Sequence, residues 1–254
     1  MPNWCSNRLV VRGTPEQLAR FRETASGSER PDFIVQETEA RHILERMSAH
    51  DRLALTAPAE ARRAELLAKA GLPEEALTLD RMIAHLWRAQ QAGEAADPEE
   101  ADDPLLFNFH RILPVPLEMQ INEPTRLPWT VTLWGTRGML ENADIELLDE
   151  EDHPGQLTYS FDTAWSPPSA VVRRLIELLP DVAIALVYTE PGNDFCGAIW
   201  NTGGGNAEEA ERRPSEFAPE TDDPDDSDDE SLVEFVSSAD VLDILYETYV
   251  PHAS

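Results

Sequence analysis

The sequence predicts an α+β fold, and three observations support this class. Segments in which apolar and polar residues alternate stand beside amphipathic helical segments, in the order β, α, β, α, β, β. Apolar residues make up 41% of the 254 residues, which is enough to bury a substantial core. A central stretch rich in Ala, Leu, Glu and Arg adds further helices. We therefore expect one α+β domain with a helical insertion.

The first predicted unit, residues 1–37, is a strand followed by a helix. The strand covers Asn7–Arg12 and is followed by a glycine. Thr14 then supplies an N-cap, Pro15 occupies the first helical position, and Gln17 stands three residues after the cap. This arrangement is the pattern of a capping box, so the helix is predicted to begin here.

Residues 38–104 are predicted to form the helical insertion. The composition is that of helices rather than strands, because β-branched residues are few. Three helices are expected near 39–50, 58–70 and 73–91, and Gly71 is the predicted C-terminal stop of the second.

Residues 105–202 are predicted to complete the domain. Each strand candidate in this region is bounded by Pro or Gly. One helix follows Pro167 and Pro168, between the third and fourth of these strands. The strand candidates are 105–112, 129–134, 157–165, 182–189 and 195–201.

The net charge is unusually negative, since 49 acidic and 20 basic residues leave a formal charge of −29. Such a surface repels phosphate backbones, so direct nucleic-acid binding is disfavoured and a basic protein is the expected partner. The alternative is that the charge only keeps the protein soluble. The acidic residues are densest in 203–230, which we expect to be a disordered acidic linker, followed by a C-terminal docking helix within 231–254.

The sequence contains no motif for catalysis, metal binding or membrane insertion. No run approaches the roughly 18 to 20 apolar residues that cross a bilayer, and the N-terminus lacks a signal-peptide pattern, so we expect a cytoplasmic protein with no membrane contact. Cys5 and Cys196 form no CxxC pair and are expected to be buried free thiols. We expect a protein that is not an enzyme and that uses no cofactor or metal. An enzyme whose site is assembled from distant residues stays a residual alternative.

Four segments occur together in a characteristic order: MPNWCSN followed by RLVV, TLWGTRG at 132–138, FDTAWSPP at 161–168, and LVYTEPGNDFCG at 186–197. In this combination the chain resembles the YubB-like family of plasmid, phage and genomic-island proteins. The resemblance implies a ferredoxin-like split βαβ antiparallel sheet with helices on one face. The central motif of that family usually reads like NWGTKWD, whereas Arg137 stands here in place of the lysine, and the second tryptophan and the aspartate are replaced.

The motif segments also supply the candidate functional residues. Aromatic and charged side chains with polar ends are not required by packing alone, so they suggest a ligand or partner surface. The alternative is that the tryptophans pack the helix layer against the sheet. The candidates are Asn3, Trp4, Trp134, Arg137, Asp162 and Trp165.

Two functions follow as expectations. The leading one is a non-enzymatic accessory protein of a mobile genetic element, whose acidic surface engages a basic protein, including one that itself binds nucleic acid. The alternative is a module that binds a small ligand or a peptide on the aromatic motif surface, with the charge serving solubility.

Overall fold

The computed structural model of this protein describes residues 3–31, 34–95, 104–121, 129–137, 140, 144–148, 154–201, 204–217 and 237–250. The chain divides into two compact units. The sheet unit comprises Met1–Gly27, Leu105–Leu113 and Thr130–Ser254, and the helical unit comprises Ser28–Pro104 and Pro114–Trp129. The helical unit therefore takes in a second segment beyond the insertion expected at 38–104.

The described residues form the following strands and helices. The strands are β1 (Trp4–Arg12), β2 (Ile145–Leu148), β3 (Gln156–Ala164), β4 (Ala183–Glu190), β5 (Phe195–Trp200) and β6 (Glu208–Arg212). The helices are α1 (Pro15–Ala25), α2 (Glu37–Arg46), α3 (Ala49–Ala70), α4 (Leu79–Ala95), α5 (Phe109–Ile112), α6 (Leu117–Ile121), α7 (Trp129–Trp134), α8 (Ser169–Leu178) and α9 (Ser238–Tyr249).

The sheet confirms the predicted α+β fold with a ferredoxin-like core. All strand pairs are antiparallel, and the strand order is β2-β3-β1-β4-β5-β6. The first four strands occur in the order β2-β3-β1-β4, so β1 and β2 flank β3, while β3 and β4 flank β1. The helices α1 and α8 connect these two split pairs, which is the β-α-β-β-α-β arrangement. β5 and β6 extend the sheet beyond this core.

The helices α1 and α8 cover one face of the sheet. The ring centroid of Phe21 in α1 lies 5.8 Å from that of Tyr159 in β3. Arg173 in α8 forms an ion pair with Glu209 in β6, whose register partner Ile199 lies on the same face. Residues of α8 that pack inward are fully buried, and they are Val171, Val172, Leu175 and Ile176.

The first helix begins as its sequence predicts. The backbone N–H of Gln17 donates to the hydroxyl of Thr14 at 3.3 Å, and the side-chain oxygen of Gln17 accepts from the backbone N–H of Thr14 at 2.7 Å. This reciprocal capping box satisfies two backbone donors that the first turn leaves without helical partners. The helix ends at Ala25, immediately before the sequence Ser26-Gly27-Ser28.

The C-terminal helix α9 lies on the opposite face of the sheet. Its buried residues Val241, Leu242 and Leu245 pack with β4 and β5, and each such side chain contributes roughly 1.5 to 3 kcal/mol when fully buried. Its Asp243 accepts a hydrogen bond from the guanidinium of Arg8 in β1 at 2.5 Å. A helix is therefore observed within the segment 231–254 in which the docking helix was predicted, and residues 231–236 and 251–254 of that segment lie outside the described residues.

Two segments predicted as strands are short helices. In 105–112 only Leu105 makes a β-bridge, with Gly27, and α5 follows because the side chain of Asn108 accepts the N–H of Arg111 at 3.0 Å. Residues 129–134 form α7. Short apolar runs have no decisive period, so Phe107, Phe109 and Trp134 matched a strand pattern while packing as core. The fourth core strand is instead β2, which sequence analysis missed.

Part of the segment assigned to a disordered linker forms β6. This strand pairs with β5 along Glu208–Arg212, with Ala210 opposite Ala198. A side chain on the neighbouring Gly197 would place its Cβ 2.4 Å from the carbonyl oxygen of Ala210, so the close approach requires glycine. The side chains of this edge strand are mostly exposed, so its backbone pairs with β5 without an apolar pattern in the sequence. For this reason the composition of the segment did not indicate a strand. The acidic run from 219 to 230 lies outside the described residues.

The helical unit packs α2 and α3 against α4. The helix α3 begins at Ala49 instead of Pro58, because the Ser48 hydroxyl accepts the N–H of Asp51 at 3.1 Å and caps it. Pro58 is accommodated inside the helix despite its missing N–H. The third helix begins at Leu79, after a short 3₁₀ turn. None of the helices described in either unit is both long and apolar enough to cross a membrane.

Two alanine substitutions in the helical unit are expected to change stability in opposite directions. Gly71 ends α3 with φ 65°, so Gly71→Ala should lower the free energy of unfolding by about 1 kcal/mol. Gly93 lies within α4 with open space around it, so Gly93→Ala should raise that free energy by up to about 1 kcal/mol. Urea denaturation of both variants tests this difference, and shifts of the same sign would contradict it.

Candidate ligand-binding surface

The first residues of β1 lie beside the last residues of β3 and β4, and we call this region the motif end of the sheet. Trp4 is opposite Ala164, and Ser6 is opposite Thr189. Since β1 runs antiparallel to both neighbours, its beginning must meet their ends. Arg137 forms a β-bridge with Ala164 and brings in the loop after α7. All four segments on which the family resemblance rests therefore meet here.

Hydrogen bonds from two motif segments fix the backbone at Trp165. Its N–H donates to the carbonyl oxygen of Asn3 at 2.9 Å. The hydroxyl of Thr136 donates to the carbonyl oxygen of Ala164 at 3.1 Å. Both the N–H and the C=O of the peptide group that joins Ala164 to Trp165 are thus held by residues distant in sequence.

A second set of hydrogen bonds fixes the residues that follow. The hydroxyl of Thr163 donates to the carbonyl oxygen of Ser166 at 2.8 Å. The hydroxyl of Ser166 in turn donates to the carbonyl oxygen of Gly135 at 2.5 Å. Gly135 has φ 90°, and a Cβ there would lie 3.0 Å from the carbonyl oxygen of Pro167. The glycine of the WGTR segment is therefore required by this junction.

Two tryptophans are exposed at the motif end. Trp165 has φ 72°, a left-handed conformation that is rare for a bulky residue and costs roughly 1 to 2 kcal/mol. Its side chain is nevertheless 43% exposed, and that of Trp4 is 55% exposed. Strain of this kind persists only where the surroundings impose it, and such positions cluster at binding sites.

The turn after β4, Pro191–Asn193, packs against Asn3 at the motif end. The buried carboxylate of Glu190 accepts hydrogen bonds from the backbone N–H groups of Gly192 at 2.9 Å and Asn193 at 2.8 Å. A Cβ on Gly192 would lie 2.7 Å from the side-chain nitrogen of Asn3. Asn3 is therefore a framework residue, packed between this turn and the backbone of Trp165.

A cavity of about 900 Å³ opens at the motif end. Three of the candidate residues, Trp4, Arg137 and Asp162, line it together. The buried part of the wall includes Asn7, and Phe109 lies there as well. The other lining residues are Ser6, Arg8, Leu140, Asp144, Ile145, Glu146, Ser160, Phe161, Thr163, Ala164, Ser238, Ala239 and Leu242.

The remaining candidates have different surroundings. Trp134 is fully buried, its indole N–H donates to the carbonyl oxygen of Leu113 at 2.8 Å, and its ring meets Phe109 edge to face at 5.6 Å. Trp134 is therefore a core residue, which agrees with the alternative that the tryptophans pack the helix layer against the sheet. Trp165 follows the cavity residue Ala164 in the chain and is exposed at the same end of the sheet.

Sequence analysis missed several residues of the cavity wall. Ser6 and Arg8 alternate with buried residues in β1 and so share a face with Trp4. That alternation was visible in the sequence. Ser238 and Leu242 of α9 reach the cavity only through tertiary packing, which no local pattern reveals.

The two thiols are buried and lack the properties of nucleophiles. Burial raises the pKa of the Cys5 thiol, and the nearby carboxylates of Glu190 and Asp162 raise it further. Burial raises the pKa of the Cys196 thiol to about 11. A thiol with a raised pKa stays protonated at neutral pH and reacts poorly. Among the residues that the structure describes, no group of three or more His, Cys, Asp or Glu side chains is placed to hold a metal ion.

These features define an α+β protein with a ferredoxin-like sheet and a cavity at its motif end. Residues 144–229 match the family model described as a ferredoxin-like domain in Api92-like protein. The crystal structure of a protein api92 from Yersinia pseudotuberculosis is similar, with a TM-score of 0.47 and 16% identity, covering 84% of this chain and 98% of that chain. No curated protein matches this chain. The YubB-like assignment stays a prediction.

Glycine and alanine at position 165 are expected to differ in stability. Both substitutions remove the indole ring, but only Trp165→Ala keeps a Cβ in the left-handed conformation. Trp165→Gly should therefore be about 1 kcal/mol more stable than Trp165→Ala. Guanidinium denaturation measures this difference, and equal stabilities would argue against a strained backbone at this position.

Both cysteines of the native protein are expected to resist thiol reagents at pH 8. The raised pKa values leave both groups protonated there, so labelling by a disulfide reagent should be at least about 100-fold slower than in urea. Labelling of Cys196 should accelerate as the pH approaches 11, where its thiolate forms. Rapid labelling of the folded protein at pH 8 would contradict the buried placement.

Proposed function

We propose that this protein is a non-enzymatic interaction protein, and that the motif end of its sheet binds a partner protein. The observation that carries the proposal is the exposure of Trp4 and Trp165 on a backbone that the motif segments hold in place. Exposed aromatic side chains beside a cavity are typical of recognition surfaces, where a few residues supply most of the binding energy. Arg137 and Asp162 add charged groups beside them.

The fixed backbone favours binding through its effect on entropy. A segment whose backbone is already fixed loses less conformational freedom when a partner covers it. The bonds made by Asn3 and Thr136 restrain the backbone at Trp165 before any partner arrives. The strain at this position is then a feature of the binding surface rather than a packing defect.

The charge supports a basic protein as the partner. A net charge of −29 attracts basic surfaces over distances up to about a Debye length and raises association rates. From the family resemblance we further propose that the protein is an accessory protein of a mobile genetic element.

A second candidate function uses the charge alone. In this version the acidic run 219–230 engages the basic partner, and the aromatic surface plays no part. The density of acidic residues in that run favours it. A small ligand at the motif end is the further alternative, and it predicts no retained protein.

Affinity capture distinguishes these candidates. The immobilised protein is incubated at low salt with lysate of cells that carry its gene, and retained proteins are identified by mass spectrometry. Trp4→Ala and Trp165→Gly should each reduce retention of a basic protein by about tenfold, because each removes an aromatic anchor. Leu53→Ala is the matched control, since Leu53 is 74% exposed but belongs to the helical unit.

A tail variant completes the comparison. Asparagine replaces the six aspartates at 222, 223, 225, 226, 228 and 229, which leaves β6 intact. Unchanged retention by this variant is expected. Loss of retention here, with both tryptophan variants still active, would favour the charge-only candidate. If no basic protein is retained even at low salt, the proposed partner class is wrong.

A further inference from the structure

Three small residues form part of the cavity lining, and we call them the floor of the cavity. In an antiparallel pair, residues directly opposite each other point to the same face of the sheet. Each floor residue stands opposite a larger one: Ala164 opposite Trp4, Ser6 opposite Asp162, and Ser160 opposite Arg8. The helix α9 packs on this same face, since its Asp243 pairs with Arg8. The small side chains therefore leave a depression between larger neighbours.

Charged side chains of both signs stand around this floor. Glu146 in β2 is opposite Ser160, and Arg137 is opposite Ala164 in its β-bridge. Within the described part of the chain, the side chains of Glu146, Arg137 and Asp162 are exposed and make no hydrogen bond or ion pair. A ligand on the floor therefore meets hydrogen-bond acceptors and donors together.

Two buried groups on the same face lack hydrogen-bond partners. A terminal nitrogen of the Arg8 guanidinium donates to Asp243 at 2.5 Å, but the buried Nε of Arg8 has no acceptor. Thr189 in β4 is opposite Ser6 and is 1% exposed, and its hydroxyl has no partner either. A donor without an acceptor is not satisfied by a cation, which brings only further donors. The polar groups of this face therefore favour a ligand that carries oxygen atoms.

A hydroxyl group meets both requirements, because it donates one hydrogen bond and accepts two. A sugar ring carries several hydroxyls and also an apolar face of C–H groups. The ring of Trp4, which is 55% exposed beside the floor, offers a flat apolar surface for such a face. The cavity volume of about 900 Å³ lies within the roughly 300 to 1,000 Å³ of small-molecule sites. We propose that this cavity binds a neutral saccharide.

This inference goes beyond the proposed function and does not depend on it. The described residues that line the cavity include Trp4 but not Trp165. The exposed ring of Trp165 therefore stays available to a partner protein when a sugar lies on the floor. The sugar and the partner use neighbouring parts of the motif end.

Ions fit the cavity less well than a neutral ligand. An anion would meet the unpaired carboxylates of Asp162 and Glu146. A cation would meet the guanidinium of Arg137 and leave the Nε of Arg8 without an acceptor. A divalent metal would need more closely grouped ligands than the described residues provide.

NMR titration with defined sugars tests the proposal. The probes are the neutral disaccharides maltose, cellobiose, lactose and mannobiose, and the readout is the indole N–H signal of Trp4, assigned with Trp4→Phe. At least one disaccharide should shift this signal with a Kd of about 1 mM or below. Saturation of protein signals should pass to the ring protons of that sugar. If none of the four shifts the Trp4 signal at about ten times that concentration, the saccharide site is overturned.

Sugars of other charge test whether neutrality is selected. Glucuronic acid and glucosamine are titrated as the anionic and cationic controls. Adenosine is added because its ribose carries hydroxyls and its base can stack on an indole ring. Each should bind more weakly than the best neutral disaccharide. If one of them binds at least about tenfold more tightly, the cavity belongs to that other class of ligand and the proposal is wrong.

Three variants locate the site. Ala164→Leu should abolish binding of the sugar, because the larger side chain fills the floor on the side that faces solvent. Asp162→Asn should weaken binding by about fivefold, because it replaces a charged acceptor without changing shape. Glu247→Gln is the matched control, since Glu247 is exposed on α9 and lies outside the cavity. It should leave the affinity unchanged, and thermal unfolding checks that all three variants fold.

The outcomes also separate this inference from the proposed function. Full binding by folded Ala164→Leu, or an equal loss in Glu247→Gln, would overturn the saccharide site. If no sugar binds while capture of a basic protein still depends on Trp165, the proposed function stands alone. If a sugar binds as expected while capture ignores both exposed tryptophans, the proposed function fails and the saccharide site stands.

Discussion

The pairing of β1 with two neighbours is the constraint on which the sheet unit depends. β1 pairs along Trp4–Arg12 with β3 and along Ser6–Arg12 with β4, so it is one of the two inner strands of the four-stranded core. Its register decides which side chains face each helix layer. A shift by one residue would turn Leu9 away from the α1 layer and bury Arg8 in its place. The same register sets the motif segments side by side, so fold and candidate surface have one origin.

Local chemistry made part of the fold predictable. The capping box at Thr14, the stop at Gly71 and the alternation in β3 each act within a few residues, and each was read correctly. The failures arose where tertiary context decides. The aromatic segments of α5 and α7 carry no decisive period, and β6 is held by backbone pairing with β5 and by an ion pair with α8, not by an apolar pattern.

The candidate surface was predictable only as a set of residue types. Motif membership brought Trp4, Arg137 and Asp162 together, and the structure places all three on one cavity. Motif membership could not distinguish these surface residues from the buried Trp134, because a tryptophan beside the sheet has the same sequence signature in the core and on the surface. The left-handed conformation of Trp165 is a property of backbone geometry imposed by distant residues, so no residue pattern indicates it.

The last strand of the described sheet gives the acidic composition a further meaning. β6 reads EEAER and ends the strand order, with mostly exposed side chains. An edge strand is a template on which another chain can pair, and natural proteins discourage such pairing with charged side chains. Each such edge carries three glutamates and one arginine, so two copies approaching edge to edge bring together like net charges and repel each other. Some of the carboxylates thus protect the protein from aggregating with itself, whatever partner the others attract.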